Sequence, residues 1–483
     1  MENIKKFLFV NSSTKQTILK NIVWLSGGVT ISRILRSLMI IYAARILGAE
    51  GYGIFSYAIS FAAIFNVFSD IGLSGLLTRE LISRTDKKEY LATSLVLKTT
   101  LVILTTIFIA FIAPLFTNIS EVKPLMILMA LLVGFDSMRS FIFAISRSEN
   151  RMQFEAILEI ITEIFITTTG LIVLFKIPSV ENFALGYMLA SGAGFVLVLV
   201  LMKEYIVTTF SHFRKELVET IFKSAWPFAF IGFFGIFMTN IDSIIVGFLK
   251  STTDLGLLAA AQKPISMLYL IPGLLYTTLF PFISKFIKNK EEDKLLKLLK
   301  TSLTASIGLA LPIVLGGIIV AGPLINVIYG YGYIGAVLTF QILLLTLLPI
   351  FPGMTLSSTL LAEDKQYVFV KSSLVGAIIN ITLDLILIPI YGIVGSAIAT
   401  LCAQLAVNGI FLIEVRKNHN ISILKDTKKM FFAVFLMGIS VFLMKTLLWP
   451  LILIIFTAII IYFGVLFLLK EKLLKEIMDG ART

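Results

Sequence analysis

The chain has 483 residues, of which 58% are hydrophobic and only 14% charged, with a formal net charge of +12 and a mean hydropathy of +0.96. A soluble domain carries about 25% charged residues, so a soluble globular protein is excluded. A single cysteine, Cys402, rules out an internal disulfide and a cysteine-based metal cage. The two histidines, His212 and His419, both fall in connections, so no zinc site, histidine triad or other cofactor is expected.

Fourteen apolar stretches follow one another, each near the roughly 20 residues that cross a bilayer. They cover residues 21–44, 51–73, 91–115, 124–147, 153–176, 181–202, 225–249, 256–284, 301–328, 335–361, 371–389, 393–413, 429–447 and 450–469. The fold class expected is therefore an all-α integral membrane bundle of about 14 transmembrane helices. With a cytoplasmic N-terminus, 31 of the 41 lysines and arginines lie in inner segments and five in outer ones. This places both termini in the cytoplasm of a multi-pass protein of the cell membrane. It also accounts for the net charge as a basic rim beside anionic lipid, without nucleic acid. Residues 1–20 are polar and basic, so no secretory signal is expected there.

The first span carries the most unusual charges. Arg33 lies about 12 residues into it, roughly 18 Å deep at 1.5 Å per residue. Each central arginine disfavours insertion by about 2.5–3.5 kcal/mol, several times what one leucine contributes. Ser26, Thr30, Arg33 and Ser37 recur at helical spacing, with Arg36 at the edge of that stripe. The pattern reads either as an anion site in a wet interior or as structural ion pairs with buried carboxylates. In the third span Lys98 is a further internal cation, and in the fourth Asp136 and Arg139 share a face. Glu155, Glu159 and Glu163 repeat every four residues in the fifth span. Glu155 belongs to the inner interface. Glu159 and Glu163, with Asp136, read as coupling sites for a proton or cation, or as counter-ions for Arg36, Arg139 or Lys98.

Two charged segments, Lys215–Lys223 and Lys294–Lys300, are expected to lie on the cytoplasmic surface. Asp242 of the seventh span, Lys263 of the eighth, and Asn380 with Asp384 of the eleventh lie toward the outer side. They read as helix-knitting pairs or as an outer gate. Pro349, Pro352 and Gly353 are expected to break the tenth span. Gly395, Ala399, Cys402, Ala406 and Gly409 make a small-residue packing face on the twelfth. The run Tyr329-Gly330-Tyr331-Gly332-Tyr333 lacks the lysine and the strand of a phosphate loop.

The chain also reads as a duplication. Residues 43–59 and 246–262 each contain a span end, a short outer turn, and an acidic residue shortly before a glycine (Glu50 and Gly53; Asp254 and Gly256). Glu149-Asn150-Arg151 is echoed by Glu363-Asp364-Lys365, an offset of 214. The expected organisation is a cytoplasmic segment 1–20, an N-lobe 21–202 of six spans, a cytoplasmic linker 203–224 and a C-lobe 225–413 of six spans. A linker 414–428, a final helix pair 429–469 and a cytoplasmic tail 470–483 complete it.

The segment Arg45-Ile46-Leu47-Gly48-Ala49-Glu50-Gly51-Tyr52-Gly53, with Asp70-Ile71-Gly72-Leu73 and Thr78-Arg79-Glu80, resembles the opening of the polysaccharide transporter family. These are oligosaccharide flippases of the multidrug/oligosaccharidyl-lipid/polysaccharide superfamily. Asn240-Ile241-Asp242, Leu279-Phe280-Pro281-Phe282-Ile283-Ser284 and Ile388-Pro389-Ile390-Tyr391-Gly392-Ile393-Val394-Gly395-Ser396-Ala397 resemble its later signatures, so the likeness spans about 15–470. The resemblance implies two pseudo-symmetric six-helix lobes in a V around a central cavity, plus two C-terminal helices. It implies transport rather than catalysis: a polyprenyl-(pyro)phosphate-linked oligosaccharide carried from the cytoplasmic to the outer leaflet by alternating access. Arg33, Arg36 and Arg139, and by extension Lys98 and Lys263, then fit cavity cations that hold the cargo. Asp136, Glu159, Glu163, Asp242 and Asp384 are the coupling or ion-pair candidates. Partners implied are membrane lipids, H+ or Na+ as coupling ion, and glycosyltransferases or a polymerase of the same pathway. The alternative is an ion-coupled drug or metabolite antiporter of the same superfamily, which favours an acidic, aromatic cavity. A membrane glycan polymerase or ligase is more remote, because the outer connections are short.

Overall fold

The computed structural model describes residues 14–81, 84–203, 212–421 and 427–470. The start of the N-terminal segment (1–13), residues 204–211 of the first linker, 422–426 of the second and the tail from 471 lie outside the described residues. Regular structure among the described residues is helical throughout. Helix α1 is Thr14–Asp70, α2 Leu73–Glu80, α3 Lys87–Ile107, α4 Leu125–Ser148, α5 Met152–Lys176, α6 Val180–Leu201, α7 Glu216–Leu249 and α8 Thr252–Leu268. Then follow α9 Leu270–Lys288, α10 Glu292–Tyr329, α11 Val337–Leu345, α12 Leu347–Ala362, α13 Gln366–Tyr391, α14 Ile393–Asn418, α15 Lys428–Thr446 and α16 Leu451–Leu468.

Twelve stretches of the described residues are long and apolar enough to cross a membrane. One of them, Val23–Asp70, is bent within α1, and Gly235–Leu249 adds a shorter apolar piece, so the count comes close to the fourteen expected. The bend is at Gly48, whose φ of 70° and ψ of 175° suit only a residue without Cβ. Large apolar side chains remain exposed along the helices, such as Ile452, Phe442 and Leu385, as a bundle facing hydrocarbon requires.

The chain divides into two compact units, Met1–Ala259 and Ala260–Thr483, with the boundary inside α8. In the first unit α1 packs on α5 and α7, α4 on α6, and α5 on α6. Leu73, Leu77, Tyr90, Phe141 and Ile221 form a core joining α2, α3, α4 and α7. Close approach also occurs where α1 meets the turn before α8. A Cβ on Gly53 would lie 1.9 Å from the Thr252 carbonyl oxygen, and one on Gly256 1.8 Å from that of Ala49. Glycine is needed at both positions because backbone fills the space of a side chain.

In the second unit α13 packs on α14 and α9 on α12, while α10 receives the C-terminal pair α15 and α16. The Tyr462 hydroxyl of α16 donates to the Gly308 carbonyl of α10 at 2.6 Å, inside a core containing Met430, Met437 and Ile454.

The segments Lys215–Lys223 and Lys294–Lys300 run directly into the spans that follow them. They are the first turns of α7 and α10, because Ile221 and Leu299 are fully buried and carry the same apolar stripe onward into each span. The eighth span, expected as one segment over 256–284, is divided at Tyr269. The tenth is interrupted too, at Thr346 rather than at the prolines themselves. One cause serves both. Pro272 and Pro349 lack an N–H, and their rings clash with the carbonyl four residues earlier, at Leu268 and Leu345. The two interruptions meet: the Tyr269 and Thr346 hydroxyls hydrogen-bond at 2.8 Å.

The paired turns 149–151 and 363–365 share one geometry. Asn150 and Asp364 adopt φ of 57° and 58°. In each the following residue donates its N–H back to a carbonyl at 2.9 Å, Arg151 to Ser146 and Lys365 to Leu360. Short side chains that bond their own backbone tolerate this left-handed conformation, which explains Asn and Asp at the corner.

Candidate functional site

The internal charges of the first unit include those of α1, α3, α4 and α5. The first leg of α1 supplies Arg33 and Arg36, α3 Lys98, α4 Asp136 and Arg139, and α5 Glu159 and Glu163, while α6 adds the neutral Ser191. Arg36 and Glu163 form a two-pronged ion pair. Arg36 Nε donates to Glu163 Oε2 at 3.1 Å and Nη2 to Oε1. The Glu163 side chain is fully buried, while that of Arg36 is 36% exposed. The fork-to-carboxylate match fixes both orientation and charge.

Arg139 is buried and meets two acids. Its Nη2 donates to Asp136 Oδ1 at 2.8 Å, and its Nε lies 3.3 Å from Glu159 Oε2. Ser191 completes the cluster, accepting from Arg139 Nη1 at 3.3 Å and donating to Asp136 Oδ1 at 2.7 Å. Lys98 is buried as well. Its Nζ donates to Asp70 Oδ1 at 2.5 Å and to Ser137 Oγ at 2.7 Å. The Ser74 hydroxyl also donates to Asp70 Oδ1, at 2.5 Å.

Arg33 differs from all of these. Its side chain is exposed, and it has no ion-pair or hydrogen-bond partner among the described residues. A bare guanidinium facing hydrocarbon in mid-span is costly, which favours polar surroundings for this face of α1. The expected stripe is thus divided: Ser37 is buried, Ser26 and Thr30 are half-buried, and Arg33 stands clear. Thr30 donates to the Ser26 carbonyl at 2.7 Å.

The structure therefore joins Arg36 to Glu163 and Arg139 to Asp136 and Glu159 in one unit. Lys98 lies in the same unit but presents no charge to open space. Asp242 is buried in the first unit, while Lys263, half-buried, and Asp384, buried, belong to the second. Asp70, Ser137 and Ser191 are the polar partners that sequence reasoning missed. Asp70 stood at the end of the second span with a glycine two residues on, a signal that read as a family motif and not as a counter-ion.

The units also differ in their hollows. A polar cavity of about 240 Å³ in the first is bordered by Asn66, Asp70, Asp136, Ser140 and Phe228. A larger cavity of about 530 Å³ in the second is lined by apolar groups including Pro264, Met267, Pro312, Met437 and Ile455.

A bundle of membrane-crossing helices with internal ion pairs, and with Arg33 unpaired among the described residues, defines a multi-pass integral membrane protein. The chain belongs to the polysaccharide biosynthesis protein family, whose model matches residues 18–287. A curated relative, the probable low-salt glycan biosynthesis flippase Agl15 of Haloferax volcanii, is 22% identical over 370 residues, 76% of each chain. Among solved structures, lipid II flippase MurJ in an inward closed conformation aligns with a TM-score of 0.77 at 19% identity, over 93% of this chain and 99% of that one. An inward-facing multidrug resistance MATE family transporter of the MOP superfamily aligns with a TM-score of 0.64 at 14% identity, over 82% and 97%. At these identities the two structures establish the fold.

Proposed function

We propose that this protein is a flippase that moves a polyprenyl-(pyro)phosphate-linked oligosaccharide from the cytoplasmic to the outer leaflet, for cell-surface glycan synthesis. The observation that carries the reading is Arg33, an exposed guanidinium in mid-span without a counter-ion, one turn from the half-exposed Arg36. A sugar-phosphate headgroup cannot cross hydrocarbon unaided. Guanidinium groups replace its water through charge-assisted, two-pronged hydrogen bonds, and the prenyl chain stays in an apolar phase throughout. Arg33 makes the first contact. Arg36 engages the phosphate as Glu163 yields it, and Arg139 and Lys98 set the field from beneath.

Alternating opening toward the two leaflets completes transport, with both termini cytoplasmic. The energy comes from H+ or Na+ or from the membrane potential. Three carboxylates, Asp136, Glu159 and Glu163, face only two paired arginines, and that surplus gives a coupling cation a place to act. Asp242 of the first unit and Asp384 of the second remain ion-pair or coupling candidates, and Lys263 of the second a cargo-binding one. Glycosyltransferases or a polymerase of the same pathway supply and consume the cargo.

The experiment is deletion of the gene in its host, with leaflet-resolved measurement of the lipid-linked glycan. Build-up on the cytoplasmic side, restored by the wild-type gene, is the expected result. Unchanged outer delivery with no inner intermediate removes the assignment. Unchanged glycan with new drug sensitivity replaces it with the antiporter.

A further inference from the structure

The polar cavity of the first unit is separate in chemistry from the guanidinium groups of α1, and its lining is unusual for a membrane interior. Asn66 and Asp70 come from the second leg of α1, Asp136 and Ser140 from α4, and Phe228 and Gly232 from α7. Each carboxylate is half used. Asp70 Oδ1 takes Lys98 and Ser74, leaving Oδ2 only a long contact of 3.4 Å from the Ser74 N–H. Asp136 Oδ1 takes Arg139 and Ser191, and Asp136 Oδ2 has no hydrogen bond among the described residues. Asn66 accepts from Ser69 through Oδ1 at 2.6 Å, and its amide NH2 is unengaged among the described residues. The Ser140 hydroxyl is exposed and likewise unengaged.

Charge decides what this hollow takes. Asp70 is balanced by Lys98, and Asp136 by Arg139. Counted on its own two pairs the lining is neutral, which disfavours a bare cation and a phosphate within it; the surplus acid, Glu159, shares Arg139 but does not border the cavity. What remains is a set of strong acceptors, one amide donor and one hydroxyl, in a cavity that Phe228, which also meets the Arg79 guanidinium, helps to border. That combination suits a neutral molecule with several hydroxyl groups and an apolar C–H face. The volume of about 240 Å³ lies below the roughly 300–1,000 Å³ of sites that take drug-sized ligands, which leaves space for about one sugar ring.

We propose that the cavity bounded by Asn66, Asp70, Asp136, Ser140 and Phe228 is a monosaccharide subsite that reads one neutral sugar of the cargo, apart from the arginines that hold its phosphate. This rests on the flippase reading for the source of the sugar but not for its chemistry. Carboxylate oxygens accept from adjacent hydroxyls, Asn66 donates to a ring or hydroxyl oxygen, and Phe228 covers the C–H face. Lys98 and Arg139 are positioning residues, since they hold the carboxylates without reaching the sugar.

Gly232 supplies the test. It borders the cavity, and a Cβ built there meets nothing within 4 Å, so the backbone has room for a side chain to start at this position. The full chain in lipid nanodiscs is titrated with methyl glycosides of glucose, galactose, mannose and N-acetylglucosamine by saturation-transfer NMR, and with inorganic pyrophosphate by calorimetry. At least one glycoside is expected to bind in the millimolar range. Gly232→Leu should weaken it by filling the space. Ser140→Ala and Asn66→Ala should each weaken it about tenfold through a lost hydrogen bond. Pyrophosphate affinity should not change in Gly232→Leu. If no glycoside binds, or if one binds Gly232→Leu, Ser140→Ala and Asn66→Ala as tightly as the wild type, the subsite is wrong. Glycoside binding by a chain whose deletion leaves glycan delivery intact would keep the subsite and remove the flippase. Normal glycan delivery by Gly232→Leu, with no glycoside binding by the wild type, would do the reverse.

Discussion

In the first unit Lys98 and Arg139 are buried within apolar helices, Arg36 is half-buried there, and each meets a carboxylate from a neighbouring helix. In the second unit the ion pairs Lys294–Glu291, Lys365–Glu363 and Lys417–Glu414 sit at helix ends. Its large cavity is apolar, and two of its spans are broken at prolines and linked through Tyr269 and Thr346. The same helical grammar has thus been filled in two ways. Among the described residues, ion pairs between neighbouring helices mark the interior of the first unit, and proline-associated helix interruptions mark the second. The proposed binding of a charged headgroup rests on the first.

The comparison is broken most directly by removing one partner of a buried pair. Lys98→Met leaves the Asp70 carboxylate without its cation and should destabilise the first unit by roughly 3–5 kcal/mol. Lys98→Met with Asp70→Leu should recover most of that loss. Circular dichroism melting in detergent reads both. Equal melting of the single and double variants would mean that the pair carries no special burden.

Next in size is the close approach of α1 to the turn before α8. Gly53→Ala forces a Cβ to within 1.9 Å of the Thr252 carbonyl oxygen, so the helices must separate. The yield of monodisperse protein on size exclusion should fall several-fold, while Gly232→Ala, in open space, should leave it unchanged.

A smaller effect tests the second unit. Tyr269→Phe removes the shared hydrogen bond, worth about 1 kcal/mol, and Thr346→Val removes both that bond and the one Thr346 donates to the Leu343 carbonyl. Because they share that bond, the double variant should cost less than the sum. The reactivity of Cys402, the only cysteine and half-buried in this unit, gives the melting readout. Additive losses would show that the two breaks are not linked.

The smallest effect is a pH dependence at the inner turn of the second unit. Burial alone would raise the Glu363 carboxyl, but hydrogen bonds from His419 and Lys365 and their charges bring it from 4.5 down to about 2. A depressed carboxyl stabilises fully above its unfolded value and loses that contribution as pH falls toward the folded one. Hydrogen exchange at 360–366 should therefore stay slow at pH 5 and above, and speed up between about 4.5 and 2. Flat protection across that window would count against the ion pair.

Much of this was legible beforehand because bilayer thickness imposes a length on every apolar run. The spans, the duplicated turns at Asn150 and Asp364, and the polar character of Arg33 all follow from composition and period. Boundaries were less so. Lys215–Lys223 reads as an amphipathic surface piece until Ile221 is seen buried in the same helix as the span. A proline marks a break, but its ring acts four residues back, which moved the interruption from Pro349 to Thr346. In the site, the helical faces of Arg36, Glu163 and Arg139 were readable, and their pairing across α1, α4 and α5 was among the alternatives. The Lys98–Asp70 pair was not, because helix rotation against a neighbour depends on packing that no single stripe encodes. That Arg33 alone stays uncompensated, while Arg36 three residues on is clasped, is a property of the assembled unit.

The measurement closest to the central claim is leaflet-resolved quantification of lipid-linked glycan in cells whose only copy carries Arg33→Ala, at membrane levels matching wild type. The account predicts accumulation on the cytoplasmic side and loss of outer delivery, with Arg33→Lys retaining part of it. Outer delivery at the wild-type rate in the alanine variant would contradict it.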